Sequence, residues 1–311
     1  MNAVRASFLL ILAVGALWAD SITERPFAGI THITRTGTSP RNVTMHIVQV
    51  DLNSPRIQFK VTAPGGALES VRQTTLGFLD QERAQVAVNL HFFLPFPSSD
   101  LNANLIGLTA SNGNVYSGFE APLQSYAIVA NAPAINIDAN NNASIVHADT
   151  NFTDGKHVAE DVALYNAFSG SAQIVTGGVS TVPEYKDEMH PEGLLTPGGA
   201  ASYSNSFSWY NLFNSRTAIG LSEDNRTLTI FTVDNAGGSR GMSLGEVADV
   251  LIADYGVFNA LNMDGGGSVT LAIQDAAAAA VRIANVSSDN PNGRAVASSL
   301  AIFVTPAPVE F

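Results

Sequence analysis

Three consecutive glycines, Gly265, Gly266 and Gly267, stand between two apolar runs, Ala260–Met263 and Val269–Ile273. The runs read as buried strands, because they are short, apolar and bounded by turn residues. The glycines allow close backbone approach and positive φ. Asp264 precedes them and Ser268 follows, so a carboxylate and a hydroxyl flank exposed amides that can form an anion-binding nest. The local pattern is equally compatible with a glycine-rich hairpin turn capped by Asp264.

Other segments support a strand-rich chain. Met45–Val50 and Ile57–Ala63 read as strands around a turn at Asn53, Ser54 and Pro55. Gln85–Asn89, Gln173–Thr176, Thr217–Leu221, Thr227–Val233 and Leu300–Val304 read likewise, and Tyr126–Ala130 with Ala134–Ile137 as a strand pair. Leu76–Glu82 and Val158–Phe168 are short helix candidates. Ser243 with Glu246 three residues later is a capping box, followed by Leu244, Val247, Val250 and Leu251 at helical spacing. Pro95–Ser117 reads as loop around an Asn112-Gly113 turn, Ala139–Gly155 as an exposed excursion, Pro183–Phe213 as a long irregular insertion. Strands and helices mix without strict alternation. The expected fold is α+β, a mixed sheet with a few short helices in a single main domain with long loops.

The amino-terminal segment is read apart from the fold. Arg5 is followed by the apolar run Phe8–Trp18, with small residues at Ala16 and Ala19. This is the order of a secretory signal peptide, and the run is short of the roughly 20 residues of a membrane span. The expectation is a signal peptide at 1–19, N-terminal strands packing on the main domain at 20–84, and that domain at 85–311. It implies a secreted protein with no membrane attachment after cleavage.

Charged residues make up 14% of the chain and the net charge is −12. Duplex nucleic acid needs a positive footprint, so it is not an expected partner. Any anionic ligand must be held by a few local cations. No cysteine is present, which excludes disulfides and thiolate metal sites. No pair of close His residues with an acidic ligand marks zinc. The Asp- and Asn-rich loops offer the oxygen ligands calcium takes, but nothing in their pattern supports a site. No cofactor is expected. Asn42, Asn142, Asn151, Asn225 and Asn285 lie in glycosylation sequons.

The segment Ala260-Leu261-Asn262-Met263-Asp264-Gly265-Gly266-Gly267-Ser268 resembles the "NLDGGGS" signature of the phosphodiester glycosidases. Ser215–Gly220 resembles that family's "ARTAVG" segment and Arg240–Glu246 its "RGxxLxE" helix start. Asn89–Phe93 resembles "NxGFF", with His91 in the place of glycine. Arg294 precedes the last strand as a family arginine does, and Asp234-Asn235 stands where the family has "DG".

The resemblance implies hydrolysis of a sugar joined through its anomeric carbon to a phosphodiester, with a carbohydrate or sugar-phosphate as partner. A phosphate monoester leaves readily, because its second pKa is about 6. Such a site stabilises the departing charge and the cationic sugar. The resemblance places Arg216 at the phosphate and Asp264 beside the sugar or an attacking water. Asn89 and Ser268 would hold sugar hydroxyls or an N-acetyl group. Gly265, Gly266, Gly267, Thr217, His91 and Arg294 complete the substrate-binding set. Asp234 is either a second carboxylate or a turn cap. Two other readings remain open, an ordinary glycosidase on the same fold and a non-catalytic carbohydrate-binding protein.

Overall fold

A computed structural model describes residues 18–120, 128–183, 209–277 and 280–305. Two large sheets pack face to face. The first has eight strands, in the order Trp18–Phe27, Ile30–Gly37, Val43–Asp51, Thr227–Val233, Arg216–Ser222, Val257–Asn262, Ala172–Thr176 and Val179–Ser180. The second has five, in the order Val281–Ile283, Leu271–Gln274, Val86–Asn89, Ser299–Val304 and Ile57–Val61. Between them lie Val48, Val50, Ile219, Leu221, Ile230 and Leu261 from one side. Val86, Val88, Leu271, Ile273, Leu300 and Ile302 come from the other. Each such side chain, fully buried, contributes about 1.5–3 kcal/mol.

One α-helix covers each outer face. Helix α1 (Thr75–Glu82) sets Phe78 and Leu79 on Ala87, Ala272 and Ala301 of the second sheet. Helix α2 (Leu244–Tyr255) sets Leu244, Val247 and Leu251 against Met45, Ile47, Ala218 and Phe231 of the first. Ser243 accepts the Glu246 amide and Glu246 accepts the Ser243 amide, so the capping box read from the sequence is present. A third sheet, Asn114–Ser117, Thr109–Ser111, Asn166–Ser169, Ala134–Ile137 and Ala143–Val146, closes one end.

The architecture is mostly β, which corrects the α+β expectation, and every strand pairing described is antiparallel rather than mixed. Parallel neighbours need a crossover that returns beside its own starting strand. Helix α2 does connect Thr227–Val233 to Val257–Asn262, but Arg216–Ser222 lies between those strands and pairs antiparallel with both.

Local corrections follow from long-range pairing. Val158–Phe168 is not helical: Val158 forms a bridge to Ala148, and Asn166–Ser169 is a central strand. Pro95–Ser117 contains three short strands, with Asn112 and Gly113 both at positive φ in the expected turn. Ala134–Ile137 pairs with Ala143–Val146, inside the expected excursion. Tyr126 and most of Pro183–Phe213 lie outside the described residues, as does most of the expected signal peptide. The strands between 20 and 84 are built into both large sheets, through Val43–Asp51 beside Thr227–Val233 and Ile57–Val61 beside Ser299–Val304.

Candidate active site at the crossing between the sheets

The glycine loop is not a hairpin. Val257–Asn262 belongs to the first sheet and Leu271–Gln274 to the second, so the chain crosses between sheets at Asp264–Ser268. Gly266–Ser268 forms one 3-10 turn. Gly266 sits at φ 59°, and a Cβ at Gly267 would collide with the Arg294 guanidinium. The loop is tied to its neighbour by Gly266 N donating to Ser215 O (2.9 Å) and Ser215 Oγ donating to Gly266 O (2.8 Å).

Asn89 ends its strand in the second sheet, and its fully buried side chain fastens the crossing. Its Nδ2 donates to Asp264 O (2.7 Å), while its Oδ1 accepts Thr217 Oγ1 (2.8 Å) and Thr270 N (3.1 Å). Asn89 and Thr217 therefore hold the backbone that carries Asp264. Asn89→Ala strands three buried polar groups. A loss of about 2–4 kcal/mol is expected in urea unfolding.

Asp264 is nearly buried, at 8% exposure. Burial pushes its carboxyl up to about 7, against the opposing effects of the Ser268 hydroxyl, Arg294 and the Gly265 amide. Arg294 Nη1 lies 3.4 Å from Ser268 Oγ, and its Nε donates to Asp289 (2.9 Å). Its guanidinium stands 4.6 Å from the Phe96 ring centroid and is partly exposed. Asn89, Thr217, Asp264, Gly265, Gly266, Gly267, Ser268 and Arg294 thus gather at one place. A buried carboxyl whose pKa is raised, beside a partly exposed arginine, can handle both a proton and an anion.

Three expected site residues are placed differently. Arg216 and Thr217 alternate across the sheet, and Arg216 falls on the α2 face with no exposed surface. Its guanidinium donates to Met242 O (3.1 Å) and to Trp209 O and Leu212 O. Burial lowers it to about 9. His91 lies in the interior, joined through its ring to Ser298 Oγ (2.7 Å), Thr109 Oγ1 (3.0 Å) and Ser169 N (3.0 Å). Burial lowers it to about 4, so it is neutral and docks the third sheet where the family has glycine. Asp234 Oδ2 accepts Val286 N (3.1 Å), and its backbone carbonyl accepts Ser239 Oγ (2.6 Å) and Gly241 N (3.0 Å). It anchors the turn and the loop that leads to Asp289. The left-handed residues of that turn are Gly237 and Gly238, not Asn235.

Trp209, Ser215, Thr270 and Asp289 also shape the site without having been marked in the sequence. Trp209 lies in the segment Pro183–Phe213 read from the sequence as a long irregular insertion. The sequon residue Asn285 is buried and engaged, with Oδ1 accepting Leu271 N (2.8 Å), so the folded chain does not offer it for glycosylation. Among the described residues no three His, Cys, Asp or Glu side chains gather to hold a metal.

The fold is thus an antiparallel β-sandwich with a carboxyl buried at a glycine-rich crossing between its sheets. The chain belongs to the phosphodiester glycosidases: the model of that family matches residues 82–303. A comparison with curated protein sequences finds no match. Among solved structures, a hypothetical protein from Synechocystis matches with TM-score 0.63 at 16% identity, over 92% of this chain and 64% of that one. The zebrafish N-acetylglucosamine-1-phosphodiester alpha-N-acetylglucosaminidase catalytic domain, auto-inhibited by its pro-peptide, matches with TM-score 0.58 at 19% identity. That match spans 94% of this chain and 85% of that one. At these identities the likeness is one of fold.

Proposed function

We propose that this protein is a secreted glycosidase that hydrolyses a sugar-1-phosphodiester or a related α-linked glycoconjugate. The observation that carries the reading is the buried Asp264 carboxyl held at the crossing by Asn89, next to Ser268, whose hydroxyl lies 3.4 Å from the partly exposed Arg294. Ionised Asp264 stabilises the sugar cation or takes a proton from the attacking water. Water adds to the anomeric carbon, the C–O bond to phosphorus breaks, and the phosphate monoester departs with the electron pair. Arg294 receives that charge, since Arg216 has no exposed surface. Secretion rests on the apolar run Phe8–Trp18, and amino-terminal sequencing of exported material should find a start between Leu17 and Ser21.

The raised carboxyl also supports a second reading, an ordinary glycosidase in which protonated Asp264 donates to a sugar leaving group. The pH profile separates the two. Purified protein should hydrolyse sugar-1-phosphodiesters, with kcat/KM rising through a midpoint near pH 7 as Asp264 ionises. A limb that falls through pH 7 assigns Asp264 as the acid. No turnover on either phosphodiesters or aryl glycosides, with sugar still bound, leaves the binding-protein reading.

A further inference from the structure

We infer that Trp209 is the sugar-binding wall of the Asp264 site, and that Arg216 is the positioning residue that sets it there. The inference rests on the glycosidase reading above and identifies what selects the sugar. Trp209 stands against the glycine loop: a Cβ at Gly265 would come within 3.0 Å of its Cζ2, and one at Gly266 within 3.3 Å of its Cη2. The indole therefore borders the backbone next to Asp264, and side chains on those glycines would displace it. The ring, only partly buried, packs with Phe92 against the small cluster of Ile106 and Ile128.

The Arg216 guanidinium lies 4.7 Å from the ring centroid and bonds the carbonyl oxygens of Trp209 and Leu212. Among the described residues no carboxylate pairs with it, and its Nη1 has no partner. Burying a guanidinium this way is costly. Its planar fork is suited to fixing a turn through two carbonyls while stacking on an indole. It anchors Trp209 to the strand whose next residue, Thr217, bonds Asn89. The sugar wall and the catalytic loop thus share one support.

The Trp209 indole N–H is buried, and among the described residues it has no acceptor. Unpaired buried donors are rare and costly. A sugar ring presents apolar C–H faces together with hydroxyls, which suits a partly exposed aromatic ring beside a carboxyl. Inorganic phosphate offers no such face.

The chain has two tryptophans, Trp18 and Trp209. Protein cleaved after residue 19 therefore reports Trp209 alone, and Trp18→Phe does the same for any form that retains Trp18. Its emission is titrated with glucose, galactose, mannose and N-acetylglucosamine, and separately with inorganic phosphate. A saturable change with at least one sugar and none with phosphate is expected. In kinetics, Trp209→Phe and Trp209→Tyr should raise KM about tenfold, the larger part of their effect, and leave the pH midpoint in place. Arg216→Lys should raise KM in the same direction. No emission change with any of the four sugars, a change with phosphate alone, or a loss in kcat with KM unmoved would overturn the assignment. If wild-type protein turns over no substrate while the sugar titration succeeds, the enzyme reading fails and the sugar wall stands.

Discussion

Asp264→Asn is expected to lower turnover at least about a hundredfold and, at the same time, to stabilise the folded chain at neutral pH. The first effect follows from losing a well-placed catalytic carboxylate. The second follows from linkage. A carboxyl whose folded midpoint is raised from 3.8 to about 7 binds its proton more tightly folded than unfolded. Stability is therefore highest at low pH, falls as pH rises from about 4 to about 7, and levels off above. The ionised form costs on the order of 2–4 kcal/mol, allowing for the bonds from Ser268 and Gly265 that an amide keeps only in part. Thermal melts at pH 8 should thus show Asp264→Asn above wild type, with the gap closing near pH 4. Full activity in the variant would remove the catalytic assignment. A lower melting temperature at pH 8 with the gap unchanged by pH would show that burial does not strain this carboxyl.

Arg294→Gln is expected to cut kcat/KM on sugar-1-phosphodiesters about a hundredfold, and much less on aryl glycosides with good neutral leaving groups. Phosphate departs with charge that a phenol need not carry, and Arg294 is the accessible cation at the crossing. Removing it also removes a charge that favours ionised Asp264, so the rising limb of the pH profile should move above 7. Arg294→Lys separates the two effects. The charge is retained and the limb should stay near 7, while loss of the planar fork should cost about tenfold on phosphodiesters. Equal losses on both substrate classes would argue against a phosphate role. The Asp289 pair and the Phe96 contact orient this arginine, and Phe96 is itself half exposed.

The sequence by itself determined the pieces with local causes. The capping box at Ser243 and Glu246, the turn at Asn112-Gly113 and the strands around the glycine loop all follow from neighbouring residues. The family motifs also singled out Asp264, Asn89 and Arg294, which the fold brings to one place. Tertiary structure decided the rest, because side-chain alternation states that Arg216 and Thr217 face opposite ways but not what lies on either side. Thr217 meets Asn89 between the sheets, and Arg216 is enclosed on the α2 face, where it bonds the Trp209 carbonyl. The Asn89–Asp264 bond joins residues 175 positions apart. Trp209 gained its place only when the loop glycines left room for it. Local propensity is short-ranged, whereas sheet membership, burial of a charge and the midpoint of a carboxyl depend on packing between segments far apart in the chain.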